Sequence, residues 1–62
     1  MPLVTVKAKA GRTTEQKRGL VKDITKAAVK NFKVDPEDVY VDIIEYSPEN
    51  LAKAGKISAS TP

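Results

Sequence analysis

The sequence predicts an α+β fold: one βαβ unit with two parallel strands and one long helix, followed by a C-terminal tail that reads as a loop or short hairpin. Two segments alternate apolar and polar residues with the period of a strand, Leu3 to Lys9 and Val39 to Tyr46. Between them lies a stretch with helical periodicity, long enough for the crossover that parallel strands require. With 62 residues, 40% of them hydrophobic, the chain forms a single domain over residues 1–62. Such a domain buries only about 60% of its unfolded surface alone, so association with further copies is expected.

In the first segment Val4, Val6 and Ala8 share one face, while Leu3, Thr5, Lys7 and Lys9 share the other. Gly11 breaks the pattern. Thr13, with Gln16 three residues on, makes a capping box that starts a helix at Thr14. Through about Asn31 the helix carries an apolar stripe of Leu20, Ile24, Ala27, Ala28 and Phe32, widened by Val21. Lys17, Lys22, Lys26 and Lys30 lie off that stripe and read as a solvated face. Gly19 weakens the helix interior by up to about 1 kcal/mol, which suits either close packing against a neighbour or simple tolerance.

Asp35-Pro36-Glu37-Asp38 reads as a capped single turn, with Asp35 suited to the cap and Pro36 to the first helical position. In the second strand Val39, Val41 and Ile43 alternate with Tyr40, Asp42 and Ile44. The helix should cover the Val4, Val6, Val41 and Ile43 face. Leu3, Tyr40 and Ile44 make the opposite face too apolar for full hydration, so another subunit is expected on it. The tail from Asn50 to Ala59 is small and weakly patterned, as a segment lying on a partner would be.

Composition removes whole classes of chemistry. Cysteine and histidine are both absent, which excludes disulfides, thiolate nucleophiles and the usual general base, and leaves no metal site or cofactor expected. A net charge of +3 favours small anionic partners. Nucleic-acid binding through Lys7, Lys9, Arg12 and Lys17 is disfavoured by so small a charge, one Phe and two Tyr. No apolar run approaches the roughly 20 residues that span a bilayer, and no leader pattern is visible, so no membrane association and a cytoplasmic location are expected.

Two residues are candidates for chemistry. Pro2 follows Met1, and removal of a methionine before a small residue exposes a proline secondary amine, a base on a rigid ring. An α-amino group titrates near pH 8, within reach of the range a general base needs. The plain alternative is a proline opening an edge strand. Arg12 sits at the strand-to-helix turn, where a guanidinium can hold a carboxylate through two parallel hydrogen bonds; its alternative is a surface arginine.

Taken together, the length, Pro2 behind Met1, the strand ending in Gly11-Arg12, the helix start Thr13-Thr14-Glu15-Gln16-Lys17 and the second strand through Val41, Ile43 and Glu45 resemble the 4-oxalocrotonate tautomerase family. The resemblance covers nearly the whole chain. It implies a βαβ unit with a short C-terminal hairpin, assembled as a homohexamer, a trimer of dimers. It also implies a cofactor-independent isomerase in which Pro2 is the general base, moving a proton in a small 2-hydroxydienoate or keto acid. Arg12 would bind the distal carboxylate, reaching it from a neighbouring subunit.

Three positions depart from the family pattern. Tyr40 stands where a second-strand arginine polarises the substrate carbonyl, and a neutral hydroxyl in place of a charged donor pair weakens that stabilisation by a few kcal/mol. Leu51 replaces an aromatic wall of the pocket, and Lys9 replaces a leucine. Lys9, and more weakly Lys53, would supply some of the missing positive charge, the alternative for Lys9 being a solvated edge lysine. With Met1 retained, Pro2 nitrogen is an amide without basicity. These departures sustain a second reading, a non-catalytic binding or structural oligomer that keeps the fold. The resemblance leaves the substrate open, and leaves open isomerase, decarboxylase or dehalogenase chemistry.

Overall fold

The computed structural model describes residues 1–57. Strand β1 (Leu3–Lys9) leads into helix α1 (Thr14–Phe32) and then strand β2 (Tyr40–Tyr46), with β1 and β2 parallel. Leu3 pairs with Tyr40, Thr5 with Asp42, Lys7 with Ile44 and Lys9 with Tyr46. This register puts Val4, Val6, Ala8, Val41, Ile43 and Glu45 under the helix, and leaves Leu3, Thr5, Lys7, Lys9, Tyr40, Asp42, Ile44 and Tyr46 on the opposite face. The ladder extends past both ends, through Tyr40 N–H to the Pro2 carbonyl at 3.0 Å and Ala10 N–H to the Tyr46 carbonyl at 2.9 Å.

The capping box forms as the sequence requires. Gln16 N–H donates to Thr13 Oγ1 at 3.1 Å, and Thr13 N–H donates to Gln16 Oε1 at 2.9 Å. Gly11, at φ 116°, makes the turn between β1 and this cap, a conformation that side chains resist. The helix ends on Lys33 in the left-handed region, its N–H donating to the Val29 carbonyl at 3.0 Å. A 3₁₀ turn over Pro36–Asp38 follows, capped by Asp35, whose carboxylate accepts from Glu37 N–H at 2.9 Å. The second strand begins at Tyr40, one residue after the expected Val39, because Val39 N–H closes that turn on the Pro36 carbonyl.

The inward stripe differs from the expected one. Ala28 is buried and Val21, Ile24, Thr25 and Val29 are half-buried, whereas Leu20, Ala27 and Phe32 are exposed. Lys17 is not part of the solvated face: it is half-buried and pairs with Glu45 of β2. A Cβ at Gly19 would meet nothing within 4 Å, so no neighbour among the described residues accounts for that glycine.

The tail forms a hairpin. A second capped 3₁₀ turn, Pro48–Asn50 with Ser47 as cap, leads into β3 (Ala52–Lys53) and β4 (Lys56–Ile57), antiparallel. Ala54 and Gly55 connect them at φ 53° and 78°, the two positive values of the turn that matches strand twist. The tail expectation for Ser58 and Ala59 lies outside the described residues.

As a single copy this fold is under-covered. Among the described residues only Ala28 falls in the buried class. The accessible surface is 5134 Å², against about 3900 Å² for a folded monomer of this mass. The radius of gyration is 14.8 Å, against about 10–11 Å for a compact domain of this length. Among the described residues the β1–β2 sheet has two strands, each with one unpaired edge, an arrangement with little stability of its own.

Candidate active site

The parallel register sorts the candidate residues to two ends of the sheet. Pro2 precedes β1, half-buried, and Tyr40 opens β2 beside it, joined to it by the backbone hydrogen bond described above. Tyr40 projects from the open face, 53% exposed, next to Leu3 at 68%. Lys9 ends β1, some seven residues from Pro2, which at the rise of a strand is about 23 Å. Arg12 follows at that same far end, and Leu51 lies beyond the turn after β2. One copy therefore joins Pro2 with Tyr40 and separates both from Lys9 and Arg12.

The faces also divide them. Lys9 is on the open face, across from Tyr46. Arg12 lies on the helix side, at the rim of a cavity of about 220 Å³ floored by Ala8 and Ile43 and walled by Leu20 and Gln16. Lys17 and Glu45 share the cavity with it. Arg12 is exposed and forms no ion pair with any described residue, while the Lys17 ammonium is held by the Glu45 carboxylate. Leu51 is exposed and its N–H donates to the Pro48 carbonyl at 3.5 Å. Lys53 pairs across the hairpin with Lys56, a juxtaposition of like charges.

Sequence reasoning did not find the Lys17–Glu45 pair. Its signal was available: Glu45 has the parity of Val41 and Ile43, hence the helix side, where a carboxylate needs a cation. On the open face, Thr5 Oγ1 donates to Asp42 Oδ1 at 2.7 Å, which satisfies a carboxylate in the middle of an otherwise mixed surface. Among the described residues no cluster of three or more His, Cys, Asp or Glu could hold a metal ion. No helix there is long and apolar enough to cross a membrane.

The chain matches known proteins over nearly its whole length. The family described as "Tautomerase enzyme" matches residues 2–60. The 2-hydroxymuconate tautomerase of Bacillus subtilis (strain 168) is 45% identical over 56 residues, covering 90% of this chain and 90% of that protein. The crystal structure of YwhB, a homologue of 4-oxalocrotonate tautomerase, superposes with a TM-score of 0.93 at 39% identity, over 98% of this chain and 100% of that one. A heterohexamer 4-oxalocrotonate tautomerase from Chloroflexus aurantiacus J-10-fl gives a TM-score of 0.93 at 31% identity, covering 100% of both chains. The chain therefore belongs to the 4-oxalocrotonate tautomerase family of the tautomerase superfamily and is an isomerase of the tautomerase type.

Proposed function

We propose that the protein tautomerises a small 2-hydroxydienoate or keto acid, with Pro2 as general base once Met1 is removed and Arg12 of a second copy holding the substrate carboxylate. The observation that carries this reading is the separation of Pro2 from Arg12 along β1, in a chain that leaves one sheet face uncovered. A shared site needs both features: the base at one end of the strand and the anion clamp at the other are brought together only by a second copy.

The chemistry follows from the groups. The free Pro2 amine takes the proton of the enol hydroxyl as the electrons move toward a conjugated ketone, and the resulting ammonium returns a proton to a carbon of the chain. Charge develops on the carbonyl oxygen, so a donor aimed at it lowers the barrier. Tyr40 is beside Pro2 in the same copy, which favours its hydroxyl as that donor; Lys9 would have to come from another copy. Leu51 lines the pocket in place of a ring. We assign the assembly as a homohexamer, a trimer of dimers of about 40 kDa from 6.7 kDa chains. The surplus surface supports association of copies, since about 1200 Å² per copy exceeds the roughly 800 Å² per partner of an ordinary stable interface, and the number six is what the family resemblance implies.

The test uses protein whose intact mass shows loss of Met1, assayed on 2-hydroxymuconate, the compound in the name of the Bacillus subtilis relative. Pro2→Ala should lower kcat about 10²- to 10⁴-fold, the share a positioned base supplies, with assembly intact. Full activity of Pro2→Ala would overturn the assignment.

A further inference from the structure

The cavity at the far end of the sheet holds two cations and one carboxylate: Arg12, Lys17 and Glu45. A carboxylate next to an anion clamp is a competitor for it. Glu45 is fixed on the helix side by the register that sets it opposite Ala8, so its side chain cannot turn away to the open face without a slip of the strand. The group that holds it is Lys17. The capping box at Thr13 orients the first turn of α1, with Lys17 N–H donating to the Thr13 carbonyl at 3.1 Å, and from that turn the Lys17 ammonium reaches Glu45. Both side chains keep only about a third of their exposure, 33% and 32%, whereas Arg12, two residues before the first helical position, stays exposed and unpaired among the described residues.

We infer that Lys17 is a positioning residue for substrate binding: by occupying Glu45 it leaves the Arg12 guanidinium as the free cation of the cavity. This rests on the reading of Arg12 as the carboxylate clamp. The ion pair acts on substrate affinity rather than on proton transfer, because it bears on the cation that holds the carboxylate and not on the group that moves the proton. A simple latch between α1 and β2 makes a different prediction: any break in the pair would loosen the Arg12 turn, whichever partner is removed. Competition predicts asymmetry. Removing the lysine releases a competitor, and removing the carboxylate eliminates one.

The experiment is steady-state kinetics of processed protein on 2-hydroxymuconate. Lys17→Met keeps the apolar stem and should raise KM about fivefold at unchanged kcat, the factor set by the strongest pairs of exposed groups. Glu45→Gln should leave KM at or below the wild-type value, and Lys17→Met/Glu45→Gln should return KM to within about twofold of wild type. A rise in KM for Glu45→Gln, or a double variant no better than Lys17→Met, overturns the inference. Because Glu45→Gln discriminates by itself, the test survives failure of Lys17→Met to fold. Arg12→Ala separates the two readings. If it leaves KM unchanged, the clamp assignment has failed; if it raises KM while Lys17→Met does not, only the role of Lys17 has.

Discussion

Replacing Ile44 by alanine perturbs the open sheet face without touching Pro2, Tyr40 or the Arg12 cavity. Ile44 is 48% exposed in the single copy and lies opposite Lys7. The substitution removes three carbons, about 2.4 kcal/mol when fully buried. Roughly half of that is already realised within the chain, so about 1 kcal/mol per copy is gained only when another copy covers the face. Across a two-fold interface the loss is doubled to about 2 kcal/mol, near thirtyfold in the association constant. Sedimentation velocity over a dilution series should show Ile44→Ala dissociating at about thirtyfold higher concentration than wild type, and specific activity should fall along the same curve. Lys22→Ala, on the exposed helix face, serves as control and should leave both unchanged. If Ile44→Ala assembles as tightly as wild type, the open face is not the covered one.

Thr13→Ala removes the hydroxyl that accepts from Gln16 N–H and leaves only the Thr13 N–H bond to Gln16 Oε1, at a cost of about 1 kcal/mol, so the melting temperature should drop by about 4–8 °C; Thr13→Ser should melt within a degree or two of wild type. Gly19→Ala meets no atom within 4 Å of the added Cβ and should stabilise the helix by about 0.5–1 kcal/mol, raising the melting temperature; a fall would reveal a neighbouring copy packed on that position. Tyr40→Phe deletes the hydroxyl and should reduce kcat about tenfold or more, while Tyr40→Arg supplies a charged donor pair and should raise kcat. Equal kcat values for all three proteins would remove Tyr40 from the chemistry.

The regular elements were legible in the sequence because each carried its own local signal. Strict alternation marked β1 from Leu3 to Lys9, and the Thr13–Gln16 spacing marked the helix start. The turn at Ser47-Pro48-Glu49 carries the same cap-and-proline signal as Asp35-Pro36-Glu37, yet its role in starting a hairpin depends on Ala54 taking a positive φ, which its residue type does not announce. Helical periodicity marked an apolar stripe but misjudged its centre. The two-stranded sheet is too narrow to cover Leu20 and Phe32, and the helix turns Val21, Ile24 and Ala28 inward with Lys17 at the edge. The candidate site was legible as residue types, through Pro2 and Arg12, but not as a place. Their separation is set by strand length and parallel register, and the reunion we propose depends on contacts that lie outside one copy's sequence pattern.

Those contacts can be tested directly by mixing two defective subunits. Pro2→Ala and Arg12→Ala proteins, each processed and each weakly active alone at substrate concentrations well below the wild-type KM, are unfolded together in equal amounts, refolded and assayed on 2-hydroxymuconate at such a concentration. If base and clamp come from different copies, random assembly rebuilds about one site in four with both groups intact, and activity should recover to about a quarter of wild type. Recovery no greater than the sum of the separate variants would mean that no site is shared between copies, and the proposed mechanism would be wrong.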